Sequence, residues 1–204
     1  RIPAVVATRG EALFAVAEGR KASWKDKSPT CLLGSVSQDG GRTWSSPSVV
    51  ADAGGDALMD PCPVYDGATG TTYLFCVQWN KEKGKMRPAA ALFLVSKDDG
   101  RQWSKPTALP LPPWLQGCAV LGFGPGAGIV MTGGASQGRL VVPMRHVDGN
   151  GQGGCHALYS DDHGRTWRFG QGMTSGLEGE CQMAESRPGV LLVNVRTGGK
   201  RSQA

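Results

Sequence analysis

Apolar positions along the chain come in short runs of strand length. "CLLGSVS" (31–37), "TTYLFCVQWN" (71–80), "ALFLVS" (91–96), "RLVVPMRHV" (139–147), "CHALYS" (155–160) and "VLLVNVR" (190–196) are rich in β-branched, aromatic and leucine residues. Gly, Pro, Asp and Ser punctuate them, which predicts strands bounded by tight turns. No stretch places apolar residues at the three- and four-residue spacing of an amphipathic helix, so the expected class is all-β.

The runs are organised by a repeat. "SQDGGRTW" (37–44), "SKDDGRQW" (96–103) and "SDDHGRTW" (160–167) share the template Ser-x-Asp-x-Gly-x-(Thr/Gln)-Trp at intervals of about sixty residues. Each copy ends a strand-like run, and the first two precede another short one, "SSPSVVA" and "SKPTALP". Strand, turn, strand is the reading: the Asp accepts backbone N–H bonds, the Gly supplies a positive φ, and the Trp packs the hairpin onto its neighbour. Short strands at this period predict a β-propeller with about four strands per blade and about three to four blades. That number does not close a ring, so the propeller is expected to be incomplete, one domain over 1–204 without a second. Repetition also assigns Asp39, Asp98, Asp162 and His163 to the scaffold, despite the catalytic look of an acidic cluster beside a histidine.

Composition narrows the rest. With 31 Gly, 13 Pro and 19% charged residues among 204, the chain is turn-rich and globular. A net charge of +5 without a Lys/Arg cluster or interleaved aromatics argues against nucleic-acid binding. The apolar runs fall far short of a membrane span. Six cysteines without CxxC spacing argue against a zinc site, and those inside apolar runs are expected as buried thiols. The chain opens on Arg1 rather than Met, so the lack of a leader here carries no compartment.

The repeat resembles the Asp box of the sialidase (neuraminidase) superfamily, whose fold is a six-bladed propeller with the boxes at peripheral hairpins. Segments that occur once carry the resemblance further. "RIPAVVATRGEALFAVAEGRK" is similar to the family's Arg-Ile-Pro motif and its Ala-Glu-x-Arg segment. The resemblance implies that Arg1 clamps the substrate carboxylate and that Arg20 lies near the 4-position of the sugar. A guanidinium fork suits a carboxylate because two parallel charge-assisted bonds fix position and orientation together. Asp26 in "ASWKDKSPT" stands where the family has its acid/base, on a loop flanked by Lys25 and Lys27. Met59-Asp60 in "GGDALMDPCPVYD" resembles a pocket-lining pair facing the 4-hydroxyl and N-acetyl region, against the alternative of a core Met and a turn Asp. Trp79 is a weaker candidate for a wall of that pocket, and a core role suits it better. "GFGPGAGIVMTGGASQGRL" resembles a Gly-rich family stretch, with no Gly-Lys-Ser/Thr of a phosphate loop. Its glycines are expected to let backbone pass close to ligand or to a neighbouring blade.

In "GECQMAESRPGVLLVNVR", Glu180 and Arg196 match the family's catalytic Glu and second clamp Arg, and Glu185 is the alternative Glu. The family's Glu activates a tyrosine nucleophile. A neutral phenol avoids the repulsion that a carboxylate nucleophile would meet beside the substrate's own carboxylate. The family's third Arg and its Tyr lie beyond the second Arg, and Tyr65, Tyr73 and Tyr159 all precede Glu180. The resemblance therefore implies an exo-α-sialidase, releasing terminal sialic acid with retention from glycoproteins, glycolipids or oligosaccharides. This chain would be a fragment without turnover of its own. No metal or cofactor is called for, and the expected partner is a sialylated glycan. Membrane contact is expected only through that substrate or through segments outside this sequence. The rival reading is a non-catalytic Asp-box propeller that binds protein or glycan.

Overall fold

The computed structural model describes residues 1–82, 85–170, 179–197 and 200–203, with backbone alone at 197 and 200–203. Strands β1 (Ala4–Ala7), β2 (Leu13–Arg20), β3 (Thr30–Ser37) and β4 (Ser48–Ala51) pair antiparallel in sequence order, as do β5 (Ala57–Asp66), β6 (Thr71–Glu82), β7 (Lys85–Ser96) and β8 (Thr107–Ala108). These are two four-stranded blades, and a single parallel pair, Thr30 with Ala57, ties one to the other. A third blade has an inner edge split into β9 (Val120–Phe123) and β10 (Ile129–Val130), followed by β11 (Leu140–Val147), β12 (Gly153–Ser160) and β13 (Arg168–Phe169). A last sheet contains β14 (Cys181–Arg187), β15 (Val190–Thr197) and β16 (Lys200–Gln203). Three blades and three strands of a fourth answer to the expected incomplete propeller. The only helical turns among the described residues are the 3₁₀ segments Pro113–Leu115 and Gly134–Ser136.

Three cores lie between successive blades. Phe14, Leu32, Leu58, Leu74 and Leu94 fill the first, Phe75, Phe123, Leu140, Val142, Met144 and Leu158 the second, and Val141, Cys155, Cys181, Met183 and Val193 the third. Alternate residues of β6 serve different cores: Leu74 and Cys76 face the first blade, while Phe75, Val77 and Trp79 face the third. A blade covered on both sides is apolar on both faces. That is why "YLFCV" reads as a continuous run and not as an alternation. All six cysteines are buried and no disulfide links them.

The three boxes share one hydrogen-bond scheme. Asp39 Oδ1 accepts from the Thr43 amide at 2.9 Å, Asp98 from Gln102 at 2.9 Å and Asp162 from Thr166 at 2.8 Å. The leading serines donate to these carboxylates and accept from the amides of Gly41, Gly100 and Gly164. The residue before each glycine is also left-handed: Gly40 at φ 68°, Asp99 at 59° and His163 at 59°. His163 therefore occupies a position that asks for tolerance of positive φ. Its ring nitrogen Nδ1 lies 2.9 Å from Asp66 of the second blade, confirming it as scaffold.

The second and third boxes also lock onto the blade before them. Trp103 stacks at 4.9 Å on Phe14, and Trp167 lies 4.7 Å from Phe75 and 5.5 Å from Tyr73. The box glycines admit those same rings, because a Cβ at Gly100 would overlap Phe14 and one at Gly164 would overlap Tyr73. Trp44, in the first box, is 42% exposed instead. Gly10 is also left-handed, at φ 65°, but a Cβ there meets nothing. Gly164→Ala should therefore cost about 1–3 kcal/mol more than Gly10→Ala, the excess measuring the clash with Tyr73. Urea unfolding of the two variants checks this, and equal losses would contradict the interlock.

Candidate active site

The boxes mark one end of the blades, and the residues that occur once gather at the other. Arg1 precedes β1, Arg20 ends β2, Asp26 lies in the β2–β3 loop and Met59-Asp60 opens β5. Glu180 precedes β14 and Arg196 lies near the end of β15. In an up-and-down blade, the start of the inner strand and the end of the next share an edge, so separate segments meet there.

Around the Trp24 carbonyl, three of these residues converge. Arg1 donates to it through Nη1 at 3.3 Å, and Arg20 Nη1 donates to the same oxygen. Arg20 Nη2 contacts Asp26 Oδ1 at 2.6 Å and Glu18 Oε2 at 2.9 Å, and its Nε donates to Glu18 at 3.1 Å. The Arg20 side chain is only 6% exposed and that of Asp26 is 68% exposed. Arg20 is thus a buried anchor and Asp26 a solvent-facing carboxylate on the rim. The partner of Asp26 is Arg20 and not a flanking lysine, since Lys27 places its ammonium 4.0 Å over the Trp79 ring. Burial, then the nearby Arg145 charge, lowers the Lys27 pKa.

Two residues of this site were not singled out from the sequence. Glu18 is fully buried, and besides Arg20 it accepts the Asp60 amide at 3.2 Å, while the backbones of Glu18 and Arg1 exchange two hydrogen bonds. Its signal was position: two residues before Arg20, it faces the same side of β2. Arg145 contacts Asp60 at 3.3 Å. A lone charge inside the apolar run "VVPMRHV" was its signal. Asp60 is itself buried and left-handed at φ 56°. Burial, opposed by Arg145 and reinforced by Glu18, Glu180 and Asp26, pushes its carboxyl up to about 6. Met59 is 7% exposed and packs in the core with Trp79.

Glu180 and Arg196 face each other, with Nη1 to Oε2 at 2.8 Å and the Arg196 amide on the Glu180 carbonyl at 2.8 Å. The Gly-rich loop 124–128 lies beside them. The Gly124 carbonyl accepts from Cys181, the Gly128 amide donates to Pro63, and a Cβ at Gly126 would meet Gln182, so this loop knits three blades as expected of its glycines. Pro125 borders two adjoining concavities. One, of about 500 Å³, is lined by Arg1, Ile2, Pro3 and Gly126, and the other, of about 390 Å³, by Glu180, Gln182, Asn194 and Arg196. Glu185 is elsewhere, accepting from the amides of Thr132, Gly133 and Gly189 in a turn-capping role. Among the described residues, no three His, Cys, Asp or Glu side chains converge to hold a metal.

A family model for the BNR repeat-like domain matches residues 11–204. The chain belongs to the sialidase superfamily of BNR-repeat proteins. This sialidase-superfamily chain is 32% identical to a sialidase of Micromonospora viridifaciens, over 96% of its own length and 32% of that relative's. It superposes over its whole length on 43% of the Hadza microbial sialidase Hz136, with a TM-score of 0.84 and 27% identity. It likewise covers 35% of the Trypanosoma rangeli sialidase in complex with sialic acid, with a TM-score of 0.80 and 26% identity. The chain thus spans 32–43% of the length of these sialidases.

Two measurements check the electrostatics. Glu18→Ala strands a buried guanidinium and should cost about 3–5 kcal/mol, whereas Asp26→Ala, on the exposed rim, should change stability by less than about 1 kcal/mol. Asp60 holds its proton more tightly folded than unfolded, where a carboxyl titrates near 4. Stability should therefore fall as pH rises from about 4 to about 6 on this residue's account, and Asp60→Asn should flatten that slope in urea titrations.

Proposed function

We propose that the protein is an exo-α-sialidase and that this chain supplies the carboxylate-binding, acid/base and nucleophile-activating side chains. The observation that carries the reading is that the Arg1–Arg20–Asp26 cluster and the Glu180–Arg196 pair border adjoining concavities that share Pro125, at the end of the blades opposite the boxes. A non-catalytic propeller has no need of that coincidence. The complex of a similar Trypanosoma rangeli sialidase with sialic acid supports the substrate class.

In this reading the sugar carboxylate lies between the guanidinium groups of Arg1 and Arg196. Arg196 is 72% exposed and gives only Nη1 to Glu180, leaving its other edge for a ligand. Asp26 protonates the leaving oxygen and then activates water, with retention of configuration. Arg20, most of its donors given to Glu18, Asp26 and Trp24, holds Asp26 over the cleft and reaches the sugar with the Nη1 hydrogen that remains. Asp60 faces the 4-hydroxyl side, and Met59 backs it from the core. Glu180 binds Arg196 through Oε2, which leaves Oε1 to take the proton of a tyrosine phenol as that oxygen attacks the anomeric carbon.

No tyrosine of the chain stands there. Tyr73 donates to the His163 carbonyl in a box, Tyr159 lies under Arg139, and Tyr65 sits by the β5–β6 turn. The phenol has to come from sequence other than these residues, so the 204-residue chain is expected to show no turnover of a fluorogenic sialoside. In the protein that contains it, Arg1→Ala or Arg196→Ala should lower kcat/KM by about 100-fold. Asp26→Ala should lower kcat by about 10²–10⁴-fold. Glu185→Ala should leave both unchanged. Full activity in Asp26→Ala, or hydrolysis by the chain alone, would defeat this assignment.

A further inference from the structure

Arg145 has no part in the site as the sequence outlines it, yet the structure sets it there at a cost. Its side chain is 20% exposed, and its Nε is buried without a hydrogen-bond partner among the described residues. A buried ion pair with an unsatisfied donor contributes little to stability, and an apolar pair of similar size would serve the fold as well or better. The neighbouring backbone is shaped to admit it. Gly122, paired with Arg145 across β9 and β11, could not carry a side chain without displacing this pair, because a Cβ there would stand 2.5 Å from Asp60 Oδ2 and 3.0 Å from Arg145 Nε.

The carboxylate it touches is fixed from two further directions. The Asp60 backbone is left-handed, at the register shift between Met59 and Cys62, and its amide is held by buried Glu18. A strained non-glycine residue over-determined by its surroundings is a mark of positioning for function. We propose that Arg145 is a positioning residue of this site, whose guanidinium holds the Asp60 carboxylate in place beside the bare Gly122 backbone. The assignment rests on the proposed substrate-facing role of Asp60.

The groups that act on Asp60 make Arg145 the decisive one. Glu18 from β2, Asp26 from the rim loop and Glu180 ahead of β14 all oppose its charge, and the thiols of Cys62 and Cys76 lie near it. On the favourable side are Arg145, in direct contact, and Lys27, whose ammonium is occupied with Trp79. Without Arg145, three carboxylates and burial remain, and Asp60 takes up a proton at higher pH.

Carbon-13 NMR of the Asp60 carboxyl tests this in the protein carrying the chain. The wild-type midpoint is expected near 6. Arg145→Gln should move it upward and Arg145→Lys should bring it back, with thermal melts confirming that both variants fold. An unmoved midpoint in folded Arg145→Gln overturns the proposal. The acid limb of kcat/KM on a sialoside should shift upward in Arg145→Gln and return in Arg145→Lys, and a limb that stays put while the midpoint moves overturns the link to catalysis. Complete lack of sialoside turnover in the wild type would instead defeat the sialidase reading, and the NMR midpoint would still decide the Arg145–Asp60 coupling.

Discussion

Everything here depends on how one blade is fastened to the next. A four-stranded antiparallel blade is apolar on both faces and has no stability alone, so each must be covered by a neighbour. The box does the fastening: its Trp and its side-chain-free glycine take in an aromatic ring of the preceding blade, Phe14 in one case and Tyr73 with Phe75 in the next. With the blades fixed at the box end, the strand ends opposite are fixed as well. Short segments far apart in sequence then hold positions relative to one another that no single hairpin could impose.

What those ends carry is charge, partly taken out of water. Glu18 is fully buried and gathers Arg20, the Asp60 amide and the Arg1 backbone, joining the first blade to the second through one carboxylate. Such a network contributes little to net stability but makes the loss of any member expensive, which fixes geometry more firmly than it stabilises the fold. The pattern across the cleft is graded. Arg20 and Asp60 are buried, while Asp26, Arg1 and Arg196 stay open to solvent, where a ligand can reach them. Buried charges beneath and accessible ones above suit the proposed role of recognising an anionic sugar and moving a proton beside it.

The fold was legible in the sequence because its signal repeats: three boxes gave the blade period, and the runs between them gave strands. The short outer strands were harder, as in "SKPTALP", where only Thr107–Ala108 pair. An outermost strand makes few contacts and leaves little imprint on residue choice. In the site, residues on recognisable segments could be named beforehand, and Arg1, Arg20 and Asp26 do meet. Their partners could not. Nothing local pairs Asp60 with Arg145, 85 residues away, or shows that Glu18 spans two blades. Lys27 was placed beside Asp26 by sequence adjacency, whereas its left-handed backbone, φ 61°, sends it to Trp79. Such contacts depend on the register of different blades, which no single segment encodes.

On the proposed function, separate blades assemble one cleft for the carboxylate of a sialic acid. A crystal structure of the protein with sialic acid bound decides between this arrangement and any other. The sugar is expected beside Pro125, with its carboxylate between the guanidinium groups of Arg1 and Arg196 and Asp26 toward the glycosidic oxygen. A sugar seated elsewhere, or bound with its carboxylate away from both arginines, would contradict it.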